Sequence, residues 1–178
     1  MKTQNNTNQV NVTSSVNSMF PAPISEDRIN WLIEKGIDAD IAQINLEMVK
    51  MKLRDQNEGQ AWTEHQSDEA ELEYKRWLTL VKRHGKGMVP TKAIDIIWHQ
   101  HILDTRAYIT DCDKVFGGYM HHYPYFGMRD EQDAKDLENA FRKTQALYQD
   151  AFKETLGSNA GENCWHDCAG RCWHDCSN

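Results

Sequence analysis

The sequence predicts an all-α protein: a compact bundle of five or six helices with a disordered N-terminal arm and a Cys/His-rich C-terminal tail. Three observations carry that expectation. Apolar residues between Pro23 and Gly157 recur at three- and four-residue spacing, which sets them along one face of a helix. The same stretch is punctuated by Ser, Thr and Asp where helices would start and by glycines where they would end. No run of convincing length alternates apolar and polar residues as a half-buried strand would. At 178 residues and 20.7 kDa, the chain has room for one domain with a core and too little for two.

Residues 1–23, MKTQNNTNQVNVTSSVNSMFPAP, are rich in Asn, Thr, Ser and Gln; they bury too little to offset the entropy of ordering and are expected to form a disordered arm. The helical domain then occupies residues 24–157. Ser25 can cap a first helix carrying Ile29, Trp31, Leu32 and Ile33, and Gly36 can end it. Asp38 or Asp40 opens a second, with Ile41, Ile44, Met48 and Met51 as its stripe, fraying in DQNEG at 55–59. Thr63 and Gln66 have capping-box spacing, so a third helix runs from there to His84 with Ala70, Tyr74, Trp77, Leu78 and Val81 on one face, until Gly85 and Gly87 stop it. Thr91 caps a helix over 92–103, and Asp104 caps the next, with Tyr108, Cys112, Val115 and Phe116 inward. The stretch GGYMHHYPYFGMR at 117–129 fits no helical template and reads as an apolar loop pinned to the body, with Tyr123, Tyr125 and Phe126 beneath it. Asp130 opens a final helix with Leu137, Phe141, Thr144, Tyr148 and Phe152 in line, lasting until Gly157.

A formal charge of −7 with basic and acidic residues interleaved offers no positive field for phosphates, so nucleic acid is not an expected partner. No apolar run approaches the length of a membrane span and the amino terminus lacks the apolar core of a secretory signal, so no membrane association and a soluble, cytoplasmic protein are expected. In that reducing compartment, clustered Cys and His read as metal ligands or redox thiols before they read as structural disulfides.

Three motifs stand out: P-T-x-x-I-D-x-I-W-H-Q-H-I-L-D-T-x-x-Y at 90–108, D-C-x-x-x-F-G at 111–117 and H-H-x-P-Y-F-G-M-R at 121–129. In these the chain resembles the glycine-rich domain-containing-protein-like family, known from plants and fungi and as short bacterial proteins, over about residues 60–155. The resemblance implies a short bacterial-type member. It carries no general biochemical activity with it, and the glycine-rich or RNA-binding-like regions of the plant members have no counterpart in this chain.

The histidines in these motifs permit a chemical reading. His99 and His101 are two apart, about 200° around a helix, so one ion cannot take both from an undistorted helix. His101 shares the apolar face of Ile94, Ile97 and Trp98, whereas His99 lies with Asp95 on the more polar side. Asp104, Tyr108 and either Asp111 or Cys112 line one face of the following helix, and the loop brings His121 and His122 back nearby. An inward His101 with His121 or His122, and with Asp104 or Cys112, would give the three or four N, O or S donors that Zn²⁺ accepts; iron with two His and a carboxylate is the competing ion. The plainer alternative is that His101 is a core histidine satisfied by a neighbour, Asp104 lying at i+3. A nucleophilic role for Cys112 is opposed by its apolar stripe, and the chain has no glycine-rich phosphate loop, nucleophile elbow or H-E-x-x-H.

The tail, 158–178, repeats the word CWHDC. Cys164, Cys168, Cys172 and Cys176 recur every four residues; in one straight helix the outer pair would stand ~18 Å apart. A fold-back at Ala169 and Gly170 would instead present four thiolates, suited to Zn²⁺ or to Cu(I), with His166 and His174 as substitutes or as a second site. The expectation from sequence is therefore a metal-binding protein for sequestration, sensing or delivery. An interaction module whose tail another protein modifies or reads, or whose thiols are redox-active, stands as the alternative, and a metal-dependent enzyme centred on the His cluster comes after that.

Overall fold

The computed structural model describes residues 21–157 except residue 86. The tail and all but the last residues of the expected N-terminal arm lie outside them. Among the described residues there are seven helices and no strand: α1 (Glu26–Glu34), α2 (Ala39–Ala42), α3 (Glu47–Arg54), α4 (Glu64–His84), α5 (Lys92–Leu103), α6 (Thr105–Phe116) and α7 (Glu131–Phe152). No helix among them is long and apolar enough to cross a membrane.

The caps fall where the side chains dictate. Ser25, Thr91, Asp104 and Asp130 each accept a hydrogen bond from a main-chain N–H in the first turn of the helix they open, and Thr63 and Gln66 close a full capping box on α4. One expected helix, from Asp38 through residue 54, is instead two, which is why there are seven and not five or six. At the break, Asn45 Oδ1 accepts from the N–H of Glu47 at 3.1 Å while its amide donates to the Ala22 carbonyl at 2.7 Å. A side chain that competes for main-chain groups in this way favours a turn over a continued helix. The interruption shifts the helical phase, so that Leu46, Val49 and Leu53 join Ile41 and Ile44 in the core, while Met48 and Met51, expected in that stripe, face solvent.

α4 is the hub, packing against α2, α3, α5 and α7. It therefore buries more than one stripe: beside Ala70, Tyr74, Trp77 and Leu78 it takes Glu71, Glu73, Lys75, Arg76 and Thr79 out of water. Glu71, Lys75 and Arg76 are paired with opposite charges, whereas Glu73 is not and its buried Oε2 has no hydrogen-bond partner among the described residues. Glu71 meets Lys75 at 2.8 Å, Lys50 at 2.9 Å and Arg28 at 3.2 Å, joining α4 to α3 and α1. Arg76 grips Glu154 with both terminal nitrogens, at 2.7 and 3.1 Å, and fixes the chain after α7. α7 ends earlier than expected, at Phe152, with Lys153 left-handed. Beyond it the Gly157 N–H donates to Glu73 Oε1 at 3.1 Å. Burial pushes the Glu73 carboxyl up; the Gly157 N–H pulls the other way.

The loop at 117–129 is pinned, but not by the aromatics expected beneath it. Tyr123 and Tyr125 are exposed and Phe126 is half-buried. Polar anchors hold it at both ends. The Tyr108 hydroxyl donates to the Met120 carbonyl at 2.6 Å, and Asp133 accepts from the N–H groups of Gly127 and Arg129, at 2.7 and 3.2 Å, and from the Arg129 guanidinium. Gly127 has φ +87°, and a Cβ there would sit 2.1 Å from Leu137 Cδ2. Gly127→Ala should accordingly lower stability by about 1–3 kcal/mol through overpacking and backbone strain. Chemical denaturation checks this; an unchanged midpoint would mean that the loop is not seated on α7 as described.

Candidate metal centre

Direction around the α5 axis decides which histidine does what. Asp95 and His99 are four apart on α5, so their side chains share one edge of the helix. His101 is rotated to the inner side and is 2% exposed. Both of its ring nitrogens are engaged: Nδ1 lies 3.1 Å from the Tyr74 hydroxyl and Nε2 lies 3.2 Å from Asp111 Oδ2. Asp111 as carboxylate can only accept, so Nε2 carries a proton toward it, and Nδ1 faces the Tyr74 hydroxyl. His101 is thus a satisfied core histidine whose partner is Asp111, not Asp104. Asp104 is occupied in capping α6.

His122 arrives from the loop, and a short relay sets its position. Gly117 ends α6 left-handed, and the chain turns back toward α5. Trp98 Nε1–H donates to the Tyr108 hydroxyl at 2.9 Å, and that hydroxyl donates onward to Met120, two residues before His122. The His122 ring then rests edge-on against Trp98 with centroids 4.5 Å apart. The outcome is a three-residue cluster, the one group of three or more potential metal-holding side chains found among the described residues: Asp95, His99 and His122. His122 Nε2 is 3.1 Å from Asp95 Oδ1 and 3.2 Å from His99 Nε2, and His99 Nε2 is 3.7 Å from the same carboxylate oxygen.

Hydrogen bonding accounts poorly for this arrangement. His122 Nε2 can donate to Asp95 Oδ1 or accept from a His99 Nε2–H, but one ring nitrogen cannot do both, so one of these two close approaches goes without a hydrogen. A cation would serve all three at once. With bonds of about 2.0–2.1 Å, the donor atoms of a tetrahedral site lie about 3.3 Å from one another; the three separations bracket that value. The site is open on one side, since 48% of the His99 side chain is exposed against 17% for His122.

The other residues named from sequence fall elsewhere. His121 is exposed and packs on Tyr119, with ring centroids 4.8 Å apart. Cys112 is a buried free thiol; burial pushes its pKa up, against the opposing pull of the Met120 main chain and the Tyr108 hydroxyl. His101, Asp104, Cys112 and His121 thus stand apart from the pair His99 and His122, and Cys164, His166, Cys168, Cys172, His174 and Cys176 lie outside the described residues. Asp95 is the member that helical periodicity sets beside His99 without marking it as a ligand; its signal is the D-x-x-x-H spacing on α5. Neither of two cavities in the body is lined by the cluster: a narrow one is lined by Tyr74, His101, Asp111 and Cys112 among others, and one of about 140 Å³ by Asp40, Gln43, Ile44, Asp111, Lys114 and Val115.

Fold and site together define an all-α domain with a surface His/His/carboxylate cluster where a loop crosses a helix. The chain belongs to the UCP032817-like family, whose model matches residues 41–167. It is also similar to two plant proteins from Arabidopsis thaliana, glycine-rich domain-containing protein 2 and glycine-rich domain-containing protein 1. Each is 33% identical over 89 residues, which are 47% of this chain and 11% of the plant protein. The chain therefore spans only a small fraction of the curated relatives it matches. No solved structure matches it.

Proposed function

We propose that this protein binds a transition-metal ion, Zn²⁺ before others, through Asp95, His99 and His122, and that it serves metal sequestration, sensing or delivery in the cytoplasm. The reading rests on one observation: two imidazole Nε2 atoms and one carboxylate oxygen converge from two separate segments at 3.1, 3.2 and 3.7 Å. Borderline nitrogen donors with a single carboxylate suit Zn²⁺. The same two-His, one-carboxylate set with an open side also suits Fe²⁺, which is the second ion to test. The Cys and His of the tail add soft donors that would extend the range to Cu(I).

The test separates body from tail. In the full-length chain, the four tail cysteines are replaced by Ser and His166 and His174 by Gln, and Zn²⁺ binding is followed by calorimetric titration. One ion per chain is expected. His99→Ala, His122→Ala and Asp95→Asn should each weaken binding by more than the ~10–100-fold typical of altering a ligand's supporting partners, with the helical signal unchanged. If the three variants bind Zn²⁺ as the parent does, the cluster is a surface hydrogen-bond group and the proposal is wrong.

A further inference from the structure

Two polar features of the body take no part in the metal cluster, and they meet at Asp111. The first is the cavity of about 140 Å³, which lies where α2 packs against α6. The second is the buried chain that runs from the Tyr74 hydroxyl through His101 to Asp111 Oδ2, with steps of 3.1 and 3.2 Å. Asp111 lines both this cavity and the narrow one behind it.

The polar groups of the larger cavity sort into spent and free. Asp40 accepts from the Ile41 N–H at 3.0 Å and from Lys82 at 2.5 Å, and the Gln43 side-chain amide donates to the Ala39 carbonyl at 3.0 Å. Asp111 has His101 as its one partner among the described residues, through Oδ2, which leaves Oδ1 free. Lys114 is exposed and makes no ion pair among the described residues. Asp111 and Lys114 stand at i and i+3 on α6, a spacing at which opposite charges meet on a helix surface. Here His101 holds the carboxylate instead, and two unmatched charges of opposite sign border one cavity. Tyr74 and His101, both buried, are committed to orienting that carboxylate; packed, hydrogen-bonded supports of this kind are what hold a binding group in place.

Volume and lining limit the ligand. A cavity of about 150 Å³ takes a molecule the size of benzene, so this one suits about six heavy atoms. Ile44 and Val115 add apolar wall beside the two charges, and apolar walls with a few placed polar groups are the common make-up of small-molecule sites. We propose that the cavity binds a small zwitterion, an α-amino acid of the size of alanine or serine, with its ammonium on Asp111, its carboxylate on Lys114 and its short side chain against Ile44 and Val115. The site shares no residue with Asp95, His99 and His122.

The probe is L-alanine, titrated calorimetrically into the full-length chain with EDTA present so that no bound ion chelates the amino acid. One alanine per chain is expected. Propionate, which lacks the ammonium, and ethylamine, which lacks the carboxylate, should each bind more than ~10-fold more weakly, the loss of one charged hydrogen-bonding partner. Asp111→Asn, which keeps an acceptor for His101, and Lys114→Met should each weaken alanine binding by a similar factor with the helical signal retained. Lys114 is exposed, so its variant tests the site even where Asp111→Asn disturbs the buried chain. Absence of saturable alanine binding overturns the proposal, and so does binding that Lys114→Met leaves unchanged. Propionate bound as tightly as alanine would make the cavity an anion site, and ethylamine bound as tightly a cation site; either result overturns the zwitterion assignment. L-Phenylalanine bound as tightly as alanine would place the ligand outside the cavity and overturn it as well.

Discussion

Glu71→Ala is expected to cost about 3–5 kcal/mol, enough to unfold a large share of a domain whose total stability is about 5–15 kcal/mol. Glu71 is 2% exposed and its Oε1 lies 2.8 Å from the Nζ of a fully buried Lys75, while Oε2 meets Lys50 and Arg28. Removing the carboxylate strands an ammonium in the core, with the Ala42 carbonyl at 3.3 Å as a remaining partner. The penalty arises from that uncompensated charge, so removing both partners should be kinder than removing one: Glu71→Leu with Lys75→Met should recover much of the loss. Equilibrium denaturation of the single and double variants decides it. A double variant no more stable than Glu71→Ala would show that shape, not charge, governs the site.

The same carboxylate predicts acid behaviour. Burial alone would raise its pKa, but the charge and hydrogen bonds of Lys75 and then Lys50 outweigh burial and hold Glu71 at about 2, below an ordinary value of 4.5. A folded pKa below the unfolded one means stabilisation that is complete above about pH 4.5 and is lost as pH falls toward 2. The stability of the parent should therefore fall through that window more steeply than that of the Glu71→Leu, Lys75→Met variant.

Trp98→Ala should be about as damaging, ~3–5 kcal/mol for loss of a large core aromatic, and it should also weaken the metal site. Trp98 packs on Trp77 with centroids 4.8 Å apart, holds the Tyr108 hydroxyl through Nε1, and backs the His122 ring at 4.5 Å. Its removal leaves His122 without the surface that orients it. A drop of ~10–100-fold in Zn²⁺ affinity is expected, the usual consequence of disturbing a ligand's support. Trp98→Phe keeps the ring and loses the N–H, and should retain most of the affinity. Parallel denaturation and Zn²⁺ titration separate the effects; Trp98→Ala binding Zn²⁺ as the parent does would mean that His122 is positioned by the loop alone.

The features that failed to read from sequence share a cause. The N-caps of α1, α4, α5, α6 and α7 were legible because a cap is a local event, settled between a side chain and an N–H two or three residues on. The break between α2 and α3 was not, since Asn45 acts partly through Ala22, far away in the chain. Met48 and Met51 fall in an apolar stripe only if the helix is unbroken. From sequence Tyr123 and Tyr125 look buried because large aromatics usually are, whereas the loop is held by Asp133 and by main-chain hydrogen bonds that composition does not encode.

The candidate site divides along the same line. Helical periodicity by itself separated His99 from His101, turned His101 inward and placed Asp95 beside His99, because 100° per residue fixes directions around an axis whatever surrounds it. Only the tertiary structure decided that Asp111 and Tyr74 satisfy His101, that Asp104 is spent on a cap, and that of the two loop histidines His122 and not His121 meets the Asp95 and His99 edge. Those choices depend on where α6 and the loop cross α5, and that crossing is set by packing of Trp98 and Tyr108 between segments whose separation in sequence gives no local sign of their contact.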